Sequence, residues 1–370
     1  MRKIVITGGH LTPALAVIEQ LQKRGEWQIY FVGRRYAMEG DKTPSIESEV
    51  IPKMGIFFEA IDAGRIQRRF TRYTLLALMK VPWGFWQAWR LLEKFKPKVV
   101  LSFGGYVSVP VVIAAWLKKI PVITHEQTTV RGLATRVNTL FARKIAISWP
   151  RTSKYYPMEK TVITGNPIRK SCFRVNKRLF EDLRFGGERP FVLITGGNQG
   201  SHQINQVIEE ILPKLLRKAN VLHQCGHVEY FGDFKGLDEA RKKLPEALKK
   251  RYHLRRYLIE GEMGTFLNKA DLVVSRAGAN IMTELIALGK PVLMIPLPFL
   301  REQKNNAQML TDLGMAEMLS EKEVTPEKVL NMIEKMLANL VFYKKNAITS
   351  RKLVRKNAAQ QIVELVEKTL

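Results

Sequence analysis

Ile4-Val5-Ile6-Thr7-Gly8-Gly9-His10 decides the fold, because its centre is written twice. The tetrapeptide Ile-Thr-Gly-Gly at Ile6–Gly9 returns at Ile194–Gly197, behind the apolar run Phe191-Val192-Leu193-Ile194. Each copy closes a short apolar run and precedes a helix-like stretch. That is the pattern of a buried parallel strand, a glycine turn and a helix whose free N–H groups face whatever lies over the turn. One copy is weak evidence. Two copies, one per half, predict two Rossmann-like α/β domains facing each other across a cleft.

The rest of the chain extends this pattern. Strands are expected at 2–7, 28–33, 57–62, 99–103, 121–125, 144–148 and 161–164, with helices at 12–23, 108–118 and 131–141. The second half restarts with strand 191–195, helix 202–217 and strand 221–225, then a charged helical insertion over 236–251. Strands near 257–260, 271–275 and 292–296 alternate with helices near 263–269, 280–288 and 303–313. Alternation of this kind implies parallel sheets. The domains are expected at 1–165 and 166–341, with a helical tail over 342–370 packing back on the first. At 370 residues and 46% apolar composition the chain has enough material for two cores. Cys172 and Cys225 form neither a CxxC pair nor a metal spacing, which favours a reducing compartment. No leader and no membrane span is expected, since the longest apolar stretch, 106–117, is far short of the ~20 residues a span requires.

Sixty Lys and Arg against 34 Asp and Glu give a formal charge of +26, which attracts polyanions. From Arg65 to Lys98 there are nine basic residues and one acid, Glu93, interleaved with Phe70, Tyr73, Trp83, Phe85, Trp86, Trp89 and Phe95. Basic residues flanking Leu, Phe and Trp describe an interfacial segment, with apolar side chains at the acyl boundary and cations on anionic headgroups. The plainer reading is a core helix with a solvated face. Three of the six tryptophans, at 83, 86 and 89, favour an anionic membrane surface. Nothing here resembles a nucleic-acid module, so nucleic acid is not an expected partner.

Candidate chemistry gathers where strands end. His10 follows Gly8-Gly9 and precedes Pro13 in the first helical turn, at the edge where open α/β sheets bind ligands. It is a candidate general base, or simply a helix cap. Gly104-Gly105-Tyr106 and His125-Glu126-Gln127 follow strands of the same half and would line the same edge. Gly196-Gly197-Asn198-Gln199-Gly200-Ser201 is a turn of amides suited to a diphosphate, without the Lys-Ser/Thr of a P-loop. Arg276-Ala277-Gly278-Ala279-Asn280 is a second small-residue turn, with Glu284 in the following helix. That carboxylate either accepts two ribose hydroxyls or is an ordinary exposed helical glutamate. Pro296-Leu297-Pro298 and then Arg301-Glu302-Gln303-Lys304-Asn305-Asn306 could read sugar hydroxyls. Arg169, in Gly165-Asn166-Pro167-Ile168-Arg169, could neutralise phosphate.

Taken together, Ser102–Ser108, His125-Glu126-Gln127, Gly165–Arg169, Gly196–Ser201 and Arg276–Ala279 occur in the order that the MurG family shows, from about residue 3 to 310. The resemblance implies a GT-B fold and an inverting N-acetylglucosaminyltransferase that converts lipid I into lipid II. It implies UDP-N-acetylglucosamine on the second domain, and a polyprenyl-pyrophosphate-linked muramyl peptide on the first. It also implies peripheral attachment to the cytoplasmic face of the membrane. Carried onto this chain, it makes His10 and Glu126 catalytic, and Gly196, Gly197, Gln199 and Gly200 the diphosphate loop. Donor contacts fall on Thr7, Gly8, Gly9, Thr128, Arg169, Asn198, Ala279, Asn280, Ile281, Glu284, Glu302 and Gln303.

The chain also departs from the family. An extra Gly-Gly-Gly usually precedes Thr-Gly-Gly-His, whereas here Ile6 leads straight into Thr7. Thr128 stands where Asn is usual, Asn198 where Ser is usual, and Glu302 replaces one of two glutamines. Fewer amides then cradle the acceptor diphosphate, which leaves open a relaxed acceptor preference or an atypical cell wall.

The expected mechanism is direct displacement. The muramyl hydroxyl attacks the anomeric carbon as UDP departs, with His10 as base and Glu126 as the reserve base or the residue that orients His10. Arg169 and the amides of Gly196–Ser201 stabilise the leaving diphosphate. No metal or cofactor is expected, and no Asp-x-Asp motif is present. Two other readings stay open. One is a different GT-B activity, such as a glycolipid synthase or a UDP-N-acetylglucosamine epimerase. The other is a non-enzymatic polyanion-binding protein.

Overall fold

Apolar strand runs alternating with amphipathic helices build two parallel sheets, one in each of two structural units. The computed structural model describes residues 1–36, 44–64, 72–197, 199–227, 230–258 and 261–370. Unit 1 comprises Met1–Arg169 and Arg355–Leu370, and unit 2 comprises Lys170–Val354.

Unit 1 runs β1 (Arg2–Thr7), α1 (Leu11–Arg24), β2 (Trp27–Gly33), α2 (Ile46–Lys53), β3 (Phe57–Ala60), α3 (Arg72–Phe95) and β4 (Val99–Ser102). It continues with α4 (Ser108–Leu117), β5 (Val122–Glu126), α5 (Leu133–Phe141), β6 (Lys144–Ile147) and β7 (Thr161–Ile163). Its sheet has the order β3-β2-β1-β4-β5-β6-β7, every pair parallel. Strand order reverses between β1 and β4, so the loops after these two strands splay apart and open a crevice.

Unit 2 runs α6 (Lys177–Glu181), β8 (Phe191–Thr195), α7 (His202–Leu215), β9 (Asn220–Gln224), α8 (Asp233–Lys242), α9 (Glu246–Lys249) and β10 (Tyr252–Arg255). Then come α10 (Glu262–Lys269), β11 (Leu272–Ser275), α11 (Ala279–Leu288), β12 (Val292–Met294), α12 (Arg301–Asp312), β13 (Ala316–Met318), α13 (Pro326–Ala338) and α14 (Leu340–Ser350). The order β10-β9-β8-β11-β12-β13 repeats the reversal, here between β8 and β11. The chain then returns to unit 1 as α15 (Ala358–Thr369).

The two faces of the unit 1 sheet are filled differently. Ile4, Ile6, Leu101 and Ile123 point to the side covered by α1 and α15, where Ile18, Leu21, Ile362, Val363 and Val366 are buried. Val5, Val100, Val122 and Ile145 meet Ala88, Leu92 and Phe95 of α3 and Val111, Val112 and Ala115 of α4 on the other. Helix α1 ends at Gly25, whose φ of 70° suits a left-handed C-terminal cap, with Lys23 and Arg24 in its last turn.

The structure moves several sequence-based boundaries. The third strand of unit 2 is Tyr252–Arg255, not 257–260, of which Ile259 and Glu260 lie outside the described residues. Tyr252 and Leu254 are the apolar side chains that face inward, in register with Val221 and His223. Pro245 divides the charged insertion into α8 and α9. The domain boundary falls at Arg169/Lys170, and the return begins at Arg355 rather than at 342, since α14 packs on α11 of unit 2.

Helix α3 has the buried face that the plainer reading of the basic aromatic region expects, and an exposed aromatic pair beside it. Ala88, Leu92 and Phe95 are buried, while Trp83 and Trp86 stay 50% and 44% exposed and stack at 4.7 Å. Arg90 lies over the Trp86 ring at 4.8 Å. Residues 65–71 of that region lie outside the described residues. No described helix is long and apolar enough to cross a membrane.

Candidate functional site

In unit 1 the site is two glycine turns packed backbone to backbone at the strand reversal. The Gly9 N–H donates to the Gly104 carbonyl at 2.9 Å, and a Cβ on Gly105 would lie 2.7 Å from the Gly9 nitrogen. Gly104 and Gly105 have φ of 69° and 79°, conformations that glycine adopts without cost. His10 follows as the N-terminal flank of α1 and makes no side-chain cap bond. Its ring turns instead to β4, where Nδ1 lies 3.0 Å from the Phe103 carbonyl oxygen. A carbonyl only accepts, so Nδ1 carries the proton and Nε2 presents its lone pair.

The same carbonyl accepts the Gln127 side-chain amide at 3.2 Å. Behind the turn, Asn138 on α5 donates to Ser102 Oγ at 3.0 Å and Ser108 Oγ at 2.8 Å. Ser102 Oγ accepts the Gly104 N–H at 3.2 Å, and the Ser108 hydroxyl donates to the Gly105 carbonyl at 2.8 Å. The cradle is thus held from α4 and α5. Gln127 belongs to the His125-Glu126-Gln127 group that the sequence places at this edge, whereas Asn138 is not singled out by sequence. Asn138 is fully buried with Thr135 on the same side of α5, and a buried amide of this kind is hydrogen-bonded.

The Glu126 carboxylate is engaged by its own loop, and no hydrogen bond joins it to His10 among the described residues. Its carboxylate is 1% exposed and takes the Thr128 N–H at 3.1 Å, the Thr128 hydroxyl at 2.8 Å, the Gly132 N–H at 2.9 Å and the Tyr156 hydroxyl at 3.2 Å. It is the anchor of the 128–132 loop. Beside it, burial and the Glu126 charge push the Tyr156 phenol far above its ordinary range. Thr128 is spent on the same loop, its hydroxyl also touching the Val130 carbonyl. Thr7 is fully buried at the end of β1. Gly8 has φ 146°, and a Cβ there would come 2.8 Å from the Phe103 carbonyl carbon.

His125 is a structural residue. It is fully buried, lies 3.1 Å through Nε2 from the Gly165 carbonyl, and is pushed down to about 4 by burial, with His10 nearby adding to the effect. Its folded value lies below the unfolded 6.5, so between those values the unfolded chain binds the extra proton. Stability is full above pH 6.5 and falls as pH drops toward 4, by about 2–3 kcal/mol at pH 4.5. Urea unfolding at pH 7 and pH 4.5 reads this out, and His125→Asn flattens the dependence.

Unit 2 repeats the design. After β8, Gly197 (φ 81°) donates to Thr195 Oγ1 at 3.0 Å, and the Thr195 hydroxyl donates to Gln224 at 2.7 Å. Gly200 (φ 85°) runs against the Cys225 carbonyl, and the Ser201 hydroxyl caps α7 by accepting the Ile204 N–H. Gln199 lies in the turn itself, and Asn198 lies outside the described residues.

Across the reversal, α11 starts at Ala279 behind Gly278, which offers no side-chain cap, so its first turn, Ala279-Asn280-Ile281, stands at the strand-end edge. Asn306 of α12 holds the Ala277 carbonyl at 2.9 Å, and Arg276 reaches the Ile295 carbonyl at 3.0 Å. Glu284 is 8% exposed, so it is not an ordinary solvated helical glutamate. Gln303 accepts the Leu297 N–H at 3.0 Å and so shapes the 296–298 loop, with Glu302 beside it in the first turn of α12. Arg169 is the last residue of the first segment of unit 1. Cys172 and Cys225 are buried and form no disulfide.

Comparison with known proteins follows both units. The glycosyltransferase family 28 N-terminal domain matches residues 7–147, and the glycosyltransferase family 28 C-terminal domain matches residues 191–364. Over 373 residues the chain is 33% identical to a Bacillus cereus protein named UDP-N-acetylglucosamine--N-acetylmuramyl-(pentapeptide) pyrophosphoryl-undecaprenol N-acetylglucosamine transferase 2, covering 98% of this chain and 99% of that one. The crystal structure of Acinetobacter baumannii MurG is similar with a TM-score of 0.72 at 26% identity, covering 100% of both chains. UDP-GlcNAc 2-epimerase from Neisseria meningitidis, bound to UDP-GlcNAc, shares the fold at 17% identity and a TM-score of 0.68, covering 100% of both chains.

Proposed function

The chain belongs to glycosyltransferase family 28, and from that premise we propose how its residues divide the work of an N-acetylglucosaminyltransferase. The enzyme transfers N-acetylglucosamine from UDP-N-acetylglucosamine to undecaprenyl-pyrophosphoryl-N-acetylmuramyl-pentapeptide, making lipid II for peptidoglycan. An epimerase shares only the fold at 17% identity, whereas the named transferase is 33% identical over nearly the whole chain.

The observation that carries the catalytic assignment is the His10 ring, with Nδ1–H on the Phe103 carbonyl and the Nε2 lone pair left for substrate. His10 Nε2 takes the proton of the muramyl hydroxyl as its oxygen bonds to the anomeric carbon. The bond from that carbon to the β-phosphate oxygen breaks, and UDP carries the electron pair away. The configuration inverts. In unit 1 the turns at Gly8-Gly9 and Gly104-Gly105 receive the acceptor diphosphate end. Glu126 and Thr128 keep the 128–132 loop in place and do not move the proton.

In unit 2 the Gly196–Gly200 turn and the first turn of α11, Ala279-Asn280-Ile281, receive the donor. Glu284 accepts the ribose hydroxyls, and Glu302 and Gln303 meet the sugar. Arg169 and Asn198 supply further contacts to the donor diphosphate. The exposed Trp83 and Trp86, with Arg90, support a peripheral seat on the cytoplasmic face of the membrane, where the lipid acceptor resides.

Transfer of labelled N-acetylglucosamine to a short-chain polyprenyl-diphosphate muramyl pentapeptide, with UDP release followed in parallel, tests the scheme. Glu284→Ala is expected to raise the donor KM by roughly 10- to 100-fold through loss of a charged hydrogen-bond acceptor. An unchanged donor KM would remove Glu284 from the nucleotide site.

A further inference from the structure

A cationic groove lies beside the unit 1 site, two strands along the same sheet edge. One wall is α5 and the loop before it, and the other is the 150–157 segment that follows β6. Its volume is about 570 Å³. Arg131, Arg136 and Lys154 line it, with Leu140, Tyr155 and Tyr156 as apolar surface, and no carboxylate is among the lining residues. Arg131 Nη1 donates to the Tyr155 carbonyl at 3.1 Å and so ties the two walls together. Tyr156, at the base, holds Glu126. The Arg136 guanidinium makes no hydrogen bond or ion pair with the described residues, and Leu140 is 73% exposed.

The groove is built continuously with the catalytic edge. Thr135 Oγ1, one residue from Arg136, lies 3.3 Å from where a Cβ on Gly104 would sit, and the His10 ring is 3.9 Å from that same point. Strands lie ~4.8 Å apart, so the β5/β6 edge is about 10 Å from the β1/β4 edge.

We propose that this groove is the subsite for the acceptor's peptide, holding its terminal carboxylate against Arg131, Arg136 and Lys154; the proposal rests on the acceptor assignment made above. The named relative acts on an N-acetylmuramyl-(pentapeptide). A peptide joined to a sugar acid through its amino end finishes in a free carboxylate. Five extended residues span about 17 Å, enough to leave the reacting sugar and run along α5. Charge complementarity selects the occupant: three cations and no acid fit a peptide that ends in an anion.

The test compares three water-dispersible acceptors that differ only in the peptide: the pentapeptide, the pentapeptide with its C-terminus amidated, and a methylamide in its place. Arg136 and Lys154 are exposed, so the double variant Arg136→Ala/Lys154→Ala is expected to fold normally, as circular dichroism will check. The native enzyme is expected to prefer the free pentapeptide over the methylamide by about 10- to 100-fold in kcat/KM, as charged hydrogen bonds predict. In the double variant that ratio collapses toward one, and the amidated peptide shows most of the same loss in the native enzyme. Binding to vesicles of anionic phospholipid stays at the native level.

A ratio unchanged by the double substitution overturns the proposal. So does loss of vesicle binding in step with activity, which would make the groove a lipid surface. Transfer by the native enzyme to the methylamide alone would overturn the peptide subsite and leave the sugar transfer standing. Transfer to none of the three would remove the acceptor assignment itself, and the subsite with it.

Discussion

Replacing His10 with alanine lowers kcat by roughly 10²- to 10⁴-fold, the usual contribution of a positioned general base. The donor affinity is expected to stay within about twofold, because an interaction made only as the proton moves does not report on ground-state binding. His10→Gln should be nearly as inactive, since glutamine can still reach the Phe103 carbonyl but offers no comparable base. The two variants separate loss of the lone pair from loss of the ring's anchoring bond, which is 3.0 Å long. Isothermal titration with UDP gives the affinity, and single-turnover transfer gives the chemical step. Turnover close to native in His10→Ala would move the base elsewhere. Glu126 would be a poor successor, with its carboxylate committed to four donors.

Gly200→Ala is expected to have the largest effect on unit 2. At φ 85° a side chain is strained, and its Cβ would lie 2.0 Å from the Cys225 carbonyl oxygen and 2.9 Å from Gly226 Cα. Gly226 presses back in the same way, so neither strand end has room to yield. The cost is about 3–5 kcal/mol, combining left-handed strain with overpacking. In a domain of this size that lowers the melting temperature by about 10 °C. UDP binding should weaken with it, because the turn that presents the amides has been pushed off β9. Gly197→Ala is the matched control. It has φ 81° but nothing within 4 Å, so only the backbone strain of about 1 kcal/mol remains. Equal melting temperatures for the two variants would show that contact with β9 does not hold the loop.

Much of this architecture was legible in sequence because buried parallel strands write themselves as apolar runs. Ile4–Ile6, Val99–Leu101 and Phe191–Ile194 read correctly, and so did the glycine turns that follow β1, β4 and β8. The 252–255 strand was obscured because His253 and Arg255 interrupt its apolar side chains, while Tyr257-Leu258-Ile259 offered a more continuous run. The three-residue strand β13 is too short to carry a period. In the site, residue type and strand end pointed to His10 and to the two open turns. What could not be read was the direction of each side chain. Glu126 looks like a second acid-base group by type and position, and only the fold shows its oxygens turned to Thr128, Gly132 and Tyr156. Gln127 and Asn138 act across strands and helices far apart in the chain, which no local pattern records.

The return of α15 to unit 1 sets an order of events during synthesis. Unit 2 is an unbroken segment, Lys170–Val354, and can finish folding as soon as it clears the ribosome. Unit 1 emerges first but stays without the Ile362, Val363 and Val366 side chains that cover the face of Ile4 and Ile6. Each such side chain is worth about 1.5–3 kcal/mol once buried. The domain translated first is therefore the one completed last, and through the making of some two hundred further residues its α1 face is an apolar surface awaiting cover. A nascent chain stalled before residue 355 would present that surface to chaperones, and one released at full length would not.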